Sequence, residues 1–159
     1  MHHPTLDPRP KWRLDRGMKT TLFALIVALL IVGCGEDIVD IEKLQNRDGV
    51  AYLPNEETPF TGRAANYYVS GQKNLEANYK DGKLDGLLIK WYENGQKKSE
   101  GNFKDDRADG PVTLWYEDGQ KKQVGNNKDG NLDGLCIYYN EDGTEWKRIT
   151  YKDGKRVRD

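Results

Sequence analysis

Gly62, Gly86, Gly110 and Gly134 stand 24 residues apart, and so do Gly71, Gly95, Gly119 and Gly143. Gly82, Gly130 and Gly154 fall on the same lattice, with Asp106 where a further glycine is expected. Aromatic residues keep the same step. One column is Tyr67, Trp91, Trp115 and Tyr139; a second is Tyr68, Tyr92 and Tyr116, ending in Asn140; a third is Tyr79, Phe103, Asn127 and Tyr151. No insertion breaks the register. A fixed period of this kind means a stacked array of short units, because each unit must bury its apolar groups against its neighbours.

The intervals between glycines decide what a unit is. "ENGQ", "EDGQ" and "EDGT" carry Asn-Gly or Asp-Gly, a strong short-range hairpin signal. "KDGKLDG" and its copies supply a second loop per unit. Between loops lie about seven to nine residues, which suits strands and is too short for helices. In "GLLIKWY", Leu87, Ile89 and Trp91 point one way and Leu88, Lys90 and Tyr92 the other. The expected fold is therefore all-β: an elongated antiparallel β-meander of stacked hairpin repeats of about 24 residues. Its units lie near residues 62–85, 86–109, 110–133 and 134–159. The column Tyr67, Trp91, Trp115 and Tyr139 is expected to be structural, with neighbouring units burying one another's rings. Asn140 and Thr144 break the pattern, so looser packing is expected in the fourth unit. The charged tail "KDGKRVRD" blunts an exposed sheet edge.

Composition agrees with a thin fold. Hydrophobic residues make up 36% and charged residues 32% of the chain, an apolar share below the roughly 45–50% (glycine included) of ordinary globular domains. Four Trp and nine Tyr argue against disorder.

The front of the chain follows other rules. Thr20 to Gly33 is uncharged. It is too short for a spanning helix of about 20 residues and has the length of a signal-peptide core. Residues 18–33 are read as that signal. Residues 1–17, polar and holding three prolines, are untranslated if Met18 is the true start, or else an unusually long leading segment. Residues 34–49 are read as a tether, with a short amphipathic helix as the alternative, and 50–159 as the repeat domain. Residues 1–33 hold Arg9, Lys11, Arg13, Arg16 and Lys19 against Asp7 and Asp15, so their removal takes the net charge from -1 to -4. A mildly acidic chain is a poor nucleic-acid binder, since phosphate backbones demand a basic surface.

Chemistry is sparse. The only histidines are His2 and His3, so nothing after residue 33 offers a Ser-His or Cys-His pair or a histidine metal ligand. Cys136 occupies an apolar column with Ala64, Leu88 and Val112 and reads as a packed thiol. The "DGKLDG" loops lack the closing carboxylate of a calcium loop. Aspartates and glutamates recur at turn positions as scaffold residues do. The expectation is no enzyme, no catalytic residues, no metal and no cofactor. Candidate contact residues are Tyr68, Tyr92 and Tyr116, on the face opposite the tryptophans, with Lys97 and Lys121 from a lysine column.

Two resemblances add to this. Ile31-Val32-Gly33-Cys34 resembles the bacterial lipobox, which implies lipidation at Cys34 and cleavage before it. Gly35, following in place of aspartate, implies the outer membrane if the organism is Gram-negative. "YYVSGQKNLEANYKDGKLDG", "WYENGQKKSEGNFKDD", their later copies and "PFTG" at 59–62 resemble the bacterial variant of the MORN repeat, over roughly residues 50–159. That resemblance implies an interaction module. The expected function is a membrane-anchored cell-envelope lipoprotein acting as a protein-binding scaffold, its partner an unknown envelope protein. Alternatives are a binder of cell-wall glycan or anionic lipid, because aromatic hairpin repeats also resemble choline-binding modules, and an antitoxin-like repeat protein, a label some variant-repeat proteins carry.

Overall fold

The computed structural model describes residues 37–158. The signal, the residues before it and Cys34 lie outside the described residues.

Each unit contributes two strands. The strands are β4 (Gly62–Tyr67), β5 (Lys73–Lys80), β6 (Lys83–Trp91), β7 (Lys97–Lys104), β8 (Arg107–Trp115), β9 (Lys121–Lys128), the short β10 (Asn131–Leu132), β11 (Gly134–Tyr139), β12 (Glu145–Lys152) and the short β13 (Lys155–Arg156). They lie in chain order in one sheet, every neighbour antiparallel. This is the meander that the glycine period predicts.

The two loops of a unit differ. At Asp81-Gly82, Asp129-Gly130 and Asp153-Gly154 both residues have positive φ, and the flanking residues pair directly, as Lys80 does with Lys83. These are two-residue turns whose twist matches the strands they join. Asp105 and Asp106 do the same without glycine, at φ 47° and 65°. The "NGQ" and "DGQ" loops, read from sequence as a strong hairpin signal, use the longer form. There only the glycine has positive φ. Gly95 N donates to Tyr92 O and Tyr92 N to Gln96 O, at 3.0 and 2.8 Å, with a register shift between Lys90 and Trp91. This is a three-residue turn closed by a glycine bulge. Asn94 Oδ1 braces the turn by accepting from Gln96 N at 2.9 Å, and its Nδ2 donates to Glu117 O of the next unit at 2.8 Å.

Units are joined by two ladders beyond the sheet pairing. Tyr68 Oη donates to Trp91 O, Tyr92 Oη to Trp115 O and Tyr116 Oη to Tyr139 O, at 2.7–2.9 Å. At the other end, Gly82 N donates to Phe60 O, Asp106 N to Leu84 O, Gly130 N to Ala108 O and Gly154 N to Leu132 O, at 2.8–3.0 Å. The first ladder explains the break at Asn140. Among the described residues no following unit offers a carbonyl, and Asn140 Nδ2 donates to Thr144 Oγ1 at 2.9 Å. The residues expected to loosen the fourth unit close off its turn.

The segment expected as a tether is partly folded. Val39–Asp40 (β1) pairs in parallel with β4 at Ala64 and Ala65. A single 3-10 turn follows at Ile41–Lys43, capped by the Asp40 carboxylate, which accepts from Glu42 N; this turn stands where a short amphipathic helix was the alternative. Gln45–Arg47 (β2) then forms a hairpin with Val50–Tyr52 (β3). Asp48-Gly49 is the same two-residue turn with positive φ, so the first hairpin of this type begins within 34–49 and not at residue 50. Ala51 N donates to Gly82 O and Phe60 N to Ala51 O, both at 2.8 Å. Gly82 must be glycine there: a Cβ would lie 2.2 Å from Val50 Cγ1.

The core is thin because the sheet is one layer. Among the described residues the buried apolar side chains are Ala51, Phe60, Ala64, Ala65, Ala77 and Cys136. Register places Ala64, Ala77, Leu88, Gly101, Val112 and Gly125 in one row across the second face. A Cβ on Gly125 would sit 2.4 Å from Cys136 Sγ.

Candidate binding face

The first face of the sheet carries the tryptophans. Equivalent residues of successive units are two strands apart, about 9.5 Å at the usual strand spacing. Rings of one column therefore cannot stack on each other, which corrects the expectation that neighbouring units bury one another's rings. The strand between them supplies a lysine. Across β4 to β11 the row reads Tyr67, Lys73, Trp91, Lys97, Trp115, Lys121, Tyr139. Lys73 Nζ lies 5.3 Å from the centroid of Trp91 and Lys97 Nζ 5.8 Å from that of Trp115. Each such contact contributes about 0.5–1 kcal/mol at exposed sites. The tryptophans are half-buried, and Tyr67 is 54% exposed.

The row is balanced by a second pattern. Lys73 pairs with Glu76 and Lys97 with Glu100, three residues on. In the fourth unit the signs are reversed, Glu145 meeting Arg148 at 2.6 Å; the guanidinium holds the Glu145 carboxyl below the ordinary range. The third unit departs. Lys121 has Val124 at the matching position. It is exposed and lies beside Trp115 in the register, with no carboxylate three residues on. Of the two lysines singled out in the sequence, Lys97 is committed to Glu100 and Trp115, whereas Lys121 faces outward.

The tyrosines expected as contact residues have another duty. Tyr68, Tyr92 and Tyr116 are half-buried, and all three hydroxyls are spent on the next unit's carbonyl. Lys98 and Lys122 cover the rings of Tyr92 and Tyr116 at 5.4 and 5.3 Å. Burial and then the Glu117 charge push the Tyr92 hydroxyl above its ordinary pKa. The glutamates that balance this lysine column, Glu76 and Glu100, are legible in the sequence; the structure adds that each pairs with the lysine three residues before it.

Elsewhere the described residues offer little reactive chemistry. Burial pushes the Cys136 thiol upward. A cleft of about 460 Å³ at the two-residue turns is lined by Lys83, Lys104 and Arg107 together with Asp105, Asp109 and Asp129. Its signs cancel, which suits neither an anion nor a cation. No group of His, Cys, Asp and Glu among the described residues is arranged to hold a metal.

Residues 84–105 match the family model described as MORN repeat variant. No curated protein matches the chain. Among solved structures, a chain from the crystal structure of accessory secretory protein 1, 2 and 3 in Streptococcus pneumoniae is similar over 82% of this chain and 22% of that one, at 16% identity and a TM-score of 0.22. This chain thus spans under a quarter of that relative's length, and at that score the likeness carries no argument. The matched stretch runs from the second residue of β6 into the turn after β7, two residues short of one 24-residue step. Residues 84–105 thus carry a MORN repeat variant, and a repeat of that kind suggests a module for protein or membrane interaction.

Proposed function

We propose that this chain is a lipid-anchored cell-envelope protein whose repeat sheet binds another protein and performs no catalysis. The lipobox-like Ile31-Val32-Gly33-Cys34 supports the anchor, and the interaction module supports the binding role. The observation that carries the reading is the asymmetry of the aromatic–lysine row. Two lysines are neutralised within the chain and stacked on indoles, whereas Lys121 stands exposed next to Trp115 without its carboxylate. An ammonium at an aromatic rim is suited to an acidic residue on a partner, where surrounding rings exclude water and strengthen the pair. The glycan alternative draws less support, since lysines lie over the faces of Trp91 and Trp115 on which a sugar would stack.

A photo-crosslinking residue at Pro111, exposed on the first face, and another at Lys90, exposed on the second, test this in the native organism. The reading expects a single protein adduct from Pro111, lost with Lys121→Glu, and none from Lys90. Retention of the purified protein on peptidoglycan, with no protein adduct from either position, would replace it with the glycan reading.

A further inference from the structure

The two ends of the sheet are unlike. At the first end the outermost strand is β1, whose only strand neighbour among the described residues is β4. Around it the chain reads Asp37, Ile38, Val39, Asp40, Ile41, Glu42: three carboxylates and no base. At the last end lies β12. Its outer edge is covered by β13 only at Tyr151 and Lys152, and Val157 N donates to Thr150 O at 2.8 Å. That bond fixes which way β12 is turned. Thr150 directs its carbonyl away from β11, so Arg148, two residues back, directs its backbone groups outward as well. From Trp146 to Ile149 the edge has no strand neighbour among the described residues, and Trp146 is 62% exposed. From Glu145 to Arg158 six basic residues face two acidic ones. Arg148 and Lys152 are engaged by Glu145 and Asp133, which leaves Lys147, Lys155, Arg156 and Arg158 in excess.

We propose that the chain associates head to tail, the acidic β1 segment of one copy adding to the open, basic β12 edge of the next. Strand direction agrees. From β4 to β12 there are seven antiparallel steps, so β12 runs opposite to β4 and therefore opposite to β1, which is parallel to β4. A second copy set in the same orientation brings its β1 antiparallel to β12, and one sheet continues through both. Charge selects this pairing over its rival. Two β12 edges meeting about a two-fold axis bring the excess basic charge of one edge, Lys147 and Arg156 among it, against that of the other, and like charges across a strand pair are destabilising. The tail that opposes indiscriminate edge pairing thus favours an acidic strand. Because the two surfaces differ, the contact is heterologous and does not close on itself as a dimer; it gives open arrays. The proposal stands apart from the Lys121 face and does not depend on it.

Sedimentation velocity of the full chain in nonionic detergent tests this. The account expects species larger than two protomers as concentration rises, and their loss at high salt, since exposed charges are screened within about 10 Å at 0.1 M. Arg148→Glu/Arg156→Glu weakens association by about tenfold or more, as does Asp37→Lys/Glu42→Lys, because each sets like charges together. The chain carrying all four substitutions associates again, which also shows that the substituted edges fold. A chain that stays monomeric throughout overturns the proposal. So does loss of association in the β12 variant alone, which marks two-fold pairing of β12.

Discussion

Tyr92→Phe removes one oxygen and nothing else. That oxygen donates to Trp115 O at 2.9 Å, across the boundary between the second and third units. The site is half-buried and both partners are neutral. A bond of this kind contributes about 0.5–1.5 kcal/mol net. The orphaned carbonyl regains part of that by meeting water, so about 1 kcal/mol is expected. For a domain of this size that lowers the melting temperature by about 3–6 °C. Tyr68→Phe and Tyr116→Phe make equivalent cuts at their own boundaries, so the three should match within experimental error. They lie far enough apart to add. In an array whose units contact only their neighbours, the triple variant should also broaden the transition, because inter-unit coupling is what keeps it sharp. Asn140→Tyr is the control, as no later unit among the described residues offers a carbonyl, and it should not stabilise. Calorimetry and urea unfolding of the purified chain read all of this. If the three single variants leave stability unchanged while weakening partner capture, the hydroxyls are contact groups and the ladder argument fails.

Four further outcomes follow. Gly125→Ala should cost about 1–3 kcal/mol by crowding, since its Cβ would lie 2.4 Å from Cys136 Sγ; Cys136→Ala in the same chain should recover most of it in a double-mutant cycle. Asp106→Ala should cost about 1–2 kcal/mol, keeping the positive φ while losing the carboxylate that accepts from Leu84 N at 2.8 Å; Asp106→Gly should be near neutral, because relief of backbone strain offsets the lost bond. Asp133, Asp142 and Glu145 are held below the ordinary range by Lys152, Thr144 and Arg148 respectively. A lowered folded pKa gives stability that is present above the unfolded value near 4 and lost as pH falls through the folded one, so a melting-temperature profile should decline on the acid side. Tyr138, raised by burial and then by its hydrogen bond with Tyr151, has the opposite sign: its contribution is present below about pH 10 and lost as pH climbs beyond. Cys34→Ala should abolish incorporation of labelled fatty acid in the native organism; normal labelling would remove the lipid anchor from the account.

The sequence made the repeats legible because the residues that enforce them are conformationally special. Gly95 and Gly143 take positive φ, and the Asp-Gly pairs form tight turns; such positions announce themselves. Strand direction followed, since short loops permit only antiparallel neighbours. Ring placement was less legible. A column 24 residues apart looks continuous in print, yet two strands separate its members, and Lys73 and Lys97 fill the gap. The Asn140 and Thr144 departures resembled decay because the ladder they terminate was invisible without the Tyr92 and Tyr116 hydroxyl partners. Residues 37–49 carry no turn glycine before Gly49 and too few apolar residues to show a period, so their docking through Val39 and Asp40 came from the fold alone.

The account rests on one lattice in which the second residue of each tight turn reaches back to the preceding unit. Through-hydrogen-bond NMR couplings read it directly. The amides of Gly82, Asp106, Gly130 and Gly154 should each couple to a carbonyl, at Phe60, Leu84, Ala108 and Leu132 respectively, four partners spaced by the same step as the glycines. Absence of these couplings, or partners that do not advance by 24 residues, would contradict the stacked sheet.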